Sequence, residues 1–282
     1  MHSPLDLDTS LRDVLPLWGV CEHEGRFVIS AAFPYLLPEE RCAGRNISRY
    51  AVPRDYHGVC GARLEKACAL LSAAFPGEEF RWHCDSTSLP EVALAIKAGL
   101  GVRGKHNLLI TKEYGTWVFL GEIITTPPRN REPAMSVRIP PVGGRLRSNQ
   151  GGLCDSCRAC VRACPTGALS ETGFAKEKCL SFITQKNGSL SPEEAALLRQ
   201  ANTVWGCDLC QEACPRNRSA KVAPLPEFLL DPIAHVTENT PIANRAYAWR
   251  GEGIIRRNLQ LQSPNGCASP PKKPCICFPL PL

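Results

Sequence analysis

"CDSCRACVRACPTGAL", residues 154–169, decides how the rest of the chain is read. Its cysteines at 154, 157, 160 and 164 fit CxxCxxCxxxCP, with Pro165 closing the motif. In two-cluster ferredoxins, three thiolates of such a run clasp one 4Fe-4S cube while the fourth crosses to a second cube. A second motif must therefore exist. "WGCDLCQEACP", residues 205–215, supplies Cys207, Cys210 and Cys214 followed by Pro215, but Val204 stands where a leading cysteine would complete the pattern. Seven ligands leave one cluster short, and Cys179 in "EKCLSFITQ" lies between the motifs. The expected assignment is Cys154, Cys157, Cys160 and Cys214 on one cluster, and Cys164, Cys179, Cys207 and Cys210 on the other.

Zinc is the competitor, because paired CxxC units also build structural four-cysteine sites. It has little use for a CxxCxxC run followed by CP, whereas an interleaved pair of clusters uses both. Sixteen cysteines in a short secreted chain would read as a disulfide framework, but 282 residues with no export signal do not. Residues 1–10 carry acids where a signal peptide carries a basic start and an apolar core, and no apolar run is long enough to span a membrane. Cytoplasm is the expected location. Cys21, Cys42, Cys60, Cys68 and Cys84 lack ligand spacing and read as small buried residues.

With 44% hydrophobic and 21% charged residues, the chain can bury a proper core in one or two compact domains. Its formal charge of +6 favours an anionic partner only mildly. Two clusters, each with four thiolates, bring it down to roughly +2.

The first half alternates β-type runs with helical patterns. Residues 27–33 read as a strand ended by Pro34, residues 56–77 as a helix stopped by Pro76 and Gly77, and "FRWHC" as a short strand. In "SLPEVALAIKAGLG", Ser88 is a candidate helix cap and Gly99 and Gly101 close the helix. "NLLIT" and "WVFLGEIITT", separated by the turn-like "KEYG", read as a hairpin. Residues 127–152 combine prolines, arginines and glycines without a hydrophobic period and read as a linker, whose arginines could touch RNA phosphate but more simply keep a connector solvated. "YAWRGEGIIRRNLQL" reads as a short basic helix. The segment 263–282 reads as a Pro-rich disordered tail, Cys275 and Cys277 included. The domain expectation is a corrinoid and substrate domain over 1–126, the linker over 127–152, a double-cluster module over 153–262, and the tail.

A ferredoxin alone would not need the roughly 120 residues that precede the cysteines. At this point the chain resembles the epoxyqueuosine reductase family. "RNISRYAVPRDYHGV", "CDSTSLPEVALAIKAGLGVRGKHNLLI", "YGTWVFLGEIITT", the CxxCxxCxxxCP run, "KCLSFIT" and "GCDLCQEACP" follow one another in the family's order. The resemblance implies an α+β fold in which an N-terminal mixed α/β, cobalamin-binding-type domain precedes a ferredoxin-like double-cluster module. It implies cobalamin as a further cofactor, tRNA as partner, a low-potential electron donor, and a monomer.

The family's proton donor falls on Asp85 of "CDST", which composition alone would make a cap or turn residue. The Gly-rich "GLGVRGKHNLLI" and the strand after it match the family's corrinoid pocket, which points to Lys105, His106, Leu109 and Leu120. Tyr50, Arg54, Asp55, Tyr56 and His57 are further contact candidates. Relative to full-length members the chain is short at both ends, without the long amino-terminal region or the carboxy-terminal helical repeats. Two rival classes stay open at this stage: a corrinoid reductase of a small molecule, akin to reductive dehalogenases, and a plain electron carrier.

Overall fold

The computed structural model describes residues 4–86, 88–126 and 152–263. Four strands make the main sheet: β1 (Leu17–His23), β2 (Arg26–Pro34), β3 (Glu79–His83) and β6 (Val118–Thr126), in the order β1-β2-β6-β3. All its pairings are antiparallel. β4 (Val102–Arg103) and β5 (Leu109–Ile110) form a separate ribbon. Helices α1 (Pro4–Val14), α2 (Glu39–Cys42), α3 (Tyr56–Ala74) and α4 (Glu91–Lys97) belong to this half. The cysteine-rich half is built from α5 (Gly152–Cys157), α6 (Ala159–Ala163), α7 (Leu180–Thr184), α8 (Pro192–Ala201), α9 (Leu209–Glu212), α10 (Pro226–Leu229) and α11 (Glu252–Gln262).

Side chains alternate across a strand, so β2 and β6 can feed two cores. Ile29, Ala31, Phe33 and Ile123 join the core shared with α3, whereas Val28, Ala32, Leu120 and Ile124 pack against Leu94, Ala95 and Ala98 of α4. Gly121 permits the close packing of α3, since a Cβ there would come within 2.7 Å of Leu64 Cδ1. α3 starts on Asp55, whose carboxylate accepts the His57 N–H at 3.0 Å. α8 starts on a capping box in which Ser191 and Glu194 satisfy each other's backbone N–H groups.

Two readings are corrected. "NLLIT" does not pair with "WVFLGEIITT": Leu109 and Ile110 pair with Arg103 and Val102, while β6 takes the centre of the main sheet. The turn is real, as Thr111 bridges to Gly115, but it joins two sheets instead of closing a hairpin. Ser88 does not cap α4, whose N-cap position is Pro90 with no side-chain cap bond. α1 and β1 were not foreseen. Apart from its last residue, the expected linker lies outside the described residues, and so does the tail beyond residue 263.

The two halves share a core. Val204, Trp205, Leu225, Phe228, Val236, Tyr247, Ile254 and Ile255 pack into the same cluster as Phe33, Val52 and Leu64. The Ser48 N–H donates to the Trp205 carbonyl at 2.7 Å, and Trp205 Nε1 donates to the Tyr50 hydroxyl at 2.6 Å. Asn46 clasps Val236 through both its backbone groups, each at 2.8 Å. Among the described residues, the cysteine-rich half has a separate, smaller core of Leu180, Ile183 and Leu198, with Leu190, Leu197, Ala201, Cys207 and Leu261 packed against it. No helix among the described residues is long and apolar enough to cross a membrane.

Candidate active site and cluster-binding residues

α5 and α6 are separated by Arg158 in a left-handed conformation, with φ of 53°. This turn lets consecutive CxxC units face one space. Cys154, Cys157 and Cys160, joined by Cys214, line a small open cavity whose other walls include Lys105, His106, Arg158 and Pro215. The thiols of Cys154 and Cys157 act electrostatically on Cys214, and those of Cys214 and Cys154 act on Cys160. A second group forms beside it: Cys207 feels Cys179 and Cys164, and Cys210 feels Cys207 and Cys179. Cys160 also acts on Cys210, so the two groups adjoin.

Burial pushes the Cys207 and Cys210 thiols up to about 12. Such groups become thiolates at neutral pH only when a metal replaces the proton. Burial also raises Cys164, but it is outweighed by hydrogen bonds from the Thr166 hydroxyl and from the backbone of Leu169, Thr166 and Ala168, leaving that thiol below its ordinary value. Among the described residues, no three His, Cys, Asp or Glu side chains converge closely enough for a single metal ion. Thiols arranged around a volume, with N–H groups directed at sulfur, fit a cluster.

Asp85 lies two residues beyond the end of β3, with φ of 51°, and its side chain is 64% exposed. The Tyr56 hydroxyl donates to Oδ2 at 2.6 Å, and His57 Nε2 stands 4.0 Å from the same oxygen. His57 Nδ1 lies 2.8 Å from Asp55 Oδ1. The hydrogen bond with Asp55 raises the imidazole above its usual value against the effect of burial, and the charges of Asp55, Asp85 and Glu91 add to the rise. Burial and the neighbouring Asp85 carboxylate raise Tyr56, which stays a hydroxyl donor. Phe119 stacks on its ring at 4.0 Å and fixes the direction of that bond. The Asp85 N–H donates to Glu91 Oε1 at 3.0 Å, tying the loop to the start of α4.

The remaining candidates do not form one wall. Lys105 and His106 lie on the cysteine cavity, with Lys105 Nζ 2.7 Å from Glu171 Oε2. Leu109 and Leu120 belong to the apolar core under α4. Tyr50 sits at the junction of the halves, and Arg54 is exposed just before α3. These residues thus lie in different parts of the described structure. Sequence reasoning missed Glu122, which is fully buried in β6 with neither carboxylate oxygen hydrogen-bonded. Burial, together with Glu91, Cys84 and Asp85, pushes its carboxyl up to about 9. A lone acid inside the apolar run "WVFLGEIITT" was the available signal.

Two adjoining groups of thiols, one of them walled by Lys105 and His106 of the sheet-bearing half, are the arrangement of a double-cluster iron–sulfur protein. Residues 153–217 match the family described as 4Fe-4S double cluster binding domain, and residues 21–86 match Epoxyqueuosine reductase QueG, DUF1730. In these two segments the chain is similar to the epoxyqueuosine reductase family. It is 34% identical to the epoxyqueuosine reductase of Listeria monocytogenes serovar 1/2a over 255 residues, which are 84% of this chain and 63% of that protein. The chain thus spans less than two thirds of that relative. Its fold is similar to epoxyqueuosine reductase from Streptococcus thermophilus, with a TM-score of 0.69, 25% identity, and coverage of 93% of this chain and 81% of the other. It is also similar to an epoxyqueuosine reductase solved with an epoxyqueuosine-modified tRNA-Tyr stem loop, with a TM-score of 0.65, 29% identity, and coverage of 84% and 63%.

Proposed function

We propose that this chain reduces epoxyqueuosine to queuosine in tRNA, taking single electrons from a low-potential donor through two 4Fe-4S clusters. The observation that carries the reading is the Asp85 carboxyl, open on one side and faced by Tyr56 and His57 on the other, in the half whose Lys105 and His106 line the cavity of Cys154, Cys157, Cys160 and Cys214. The thiol assignment is the one stated above: Cys154, Cys157, Cys160 and Cys214 for one cluster, and Cys164, Cys179, Cys207 and Cys210 for the other. Converting an epoxide to an alkene takes two electrons and two protons and releases the oxygen as water. Asp85 is assigned the first proton transfer to that oxygen. His57, held by Asp55 and 4.0 Å from Asp85 Oδ2, is placed to return a proton to it. Tyr56 fixes the carboxylate through the oxygen it bonds.

The family resemblance implies cobalamin as a further cofactor, which would supply the electron transfer from the clusters to the substrate, and a cobalamin-binding-type layout for the first half. A cytoplasmic setting, expected from the acidic residues 1–10, and a monomer complete the reading. The test is an anaerobic reconstitution with iron, sulfide and cobalamin, assayed on an RNA stem loop carrying epoxyqueuosine. About eight irons and eight sulfides per chain are expected, together with loss of one oxygen from the modified base. A chain loaded with eight irons and bound corrinoid that leaves the base unchanged would rule this substrate out.

A further inference from the structure

His106 lies at the wall of the cavity formed by Cys154, Cys157, Cys160 and Cys214, and it is buried at 6% exposure. Its ring packs across Gly104, where a Cβ would come within 2.3 Å of Cε1 and 2.9 Å of Nε2. Position 104 must therefore lack a side chain for the imidazole to occupy this place. The Leu108 N–H donates to His106 Nδ1 at 3.3 Å. A nitrogen that accepts carries no proton, so the ring is the neutral tautomer with its hydrogen on Nε2. That Nε2–H is buried and has no partner in the protein.

A buried donor without an acceptor is costly, and such groups in native proteins usually meet something the chain itself does not supply. The cations on the same wall are otherwise engaged: Lys105 and Arg158 both pair with Glu171, at 2.7 and 3.0 Å. This leaves the imidazole as an uncharged donor beside four thiols.

We propose that His106 Nε2–H donates a hydrogen bond to a sulfur of the cluster held by Cys154, Cys157, Cys160 and Cys214, and so raises that cluster's reduction potential. The inference rests on the cluster assignment in the proposed function. Reduction adds a negative charge that spreads over the cluster sulfurs, so an N–H donor binds the reduced form more strongly than the oxidised form. The cavity that His106 lines is bounded by Cys154, Cys157, Cys160 and Cys214, and Cys164, Cys179, Cys207 and Cys210 are not among its walls. His106 is thus a positioning and tuning residue, and it separates the potentials of two clusters that have the same ligands.

The experiment uses full-length reconstituted protein labelled with 15N in its histidine rings and reduced by one electron. Pulsed electron paramagnetic resonance should show a 15N ring coupling on one cluster, lost in His106→Phe. In a redox titration, His106→Phe should shift one midpoint downward by roughly tenfold in the reduction equilibrium, the size of one ordinary hydrogen bond, which is about 59 mV for one electron. His106→Gln, which restores an amide N–H near the Nε2 position, should return most of that shift. Parent protein that holds eight irons but shows no histidine coupling would overturn the proposal alone, even if His106→Phe failed to load. Equal shifts in the Phe and Gln variants would also overturn it. A parent that cannot hold eight irons would overturn the cluster assignment, and this proposal with it.

Discussion

The two halves of this chain hold themselves together differently. The sheet half has nine-residue strands and a 19-residue helix packed into two apolar cores. In the cysteine-rich half, α5, α6, α7 and α9 run for only four to six residues, too short to persist alone, and the local core among the described residues is a small cluster around Leu180, Ile183 and Leu198. One half is folded by burial. The other docks onto that core through Trp205, Phe228 and Tyr247, and its short helices are expected to depend on what the thiols bind. A function carried by ligand spacing can be read in one dimension, whereas a function carried by burial appears only after strands have paired.

The strongest way to break this comparison is to remove the metal. After anaerobic chelation, amides of α5, α6, α7 and α9 should exchange with solvent by orders of magnitude faster, while β2 and β6 keep their protection. Equal loss of protection in both halves would mean that the shared core cannot survive without the clusters. Next in size, Asp85→Asn should reduce turnover by about 10²- to 10⁴-fold while iron content stays at the parental level. Activity at the parental rate would remove Asp85 from the chemistry.

Glu122 sharpens the contrast, because it is a charge problem created by burial alone. Its folded carboxyl titrates at about 9 against 4.5 for the free group, so its folded form holds the proton more tightly. Stability from this group is fully present below pH 4.5 and is lost as pH rises through 9. Glu122→Gln keeps the neutral shape without the titration. It should be more stable than the parent by on the order of 4 kcal/mol at pH 8, with the gap closing toward pH 4. Melting curves across that range check the prediction, and a gap independent of pH would show that Glu122 is already paired. The smallest effect belongs to the seam between the halves: Tyr50→Phe leaves Trp205 Nε1 without its acceptor and should cost about 1–3 kcal/mol in denaturant unfolding.

What could be read from the sequence follows the same division. The eight cysteines and Asp85 stand in contiguous motifs, and the structure gathers the thiols into two adjoining groups and leaves the carboxylate open. Lys105 and His106 were legible as a Gly-rich loop with polar tips, but their address was not, because only the tertiary fold brings residues 105 and 106 to Cys214. β6 was misassigned for a related reason. Its neighbour in sequence offers a turn, yet its partners are β2, far upstream, and β3. α1 escaped because its acidic first turns hide the apolar positions Leu11 and Val14, and β1 because Gly19 and Cys21 interrupt its β-type residues.

The place of β6 in the sheet also sets a timetable for synthesis. β1 and β2 are adjacent in the chain and can pair as soon as they leave the ribosome. The other edge of β2 waits for residues 118–124, and β3 has no neighbour in the sheet until β6 arrives. Ile254 and Ile255, which complete the same core, come much later still. Long-range pairing of this kind is slow to form and leaves apolar edges bare in the meantime. A ribosome that pauses between residues 34 and 118 therefore carries a two-stranded ribbon with an open edge of Val28, Ile29, Ala31 and Phe33, ready to pair with any strand that reaches it before its own.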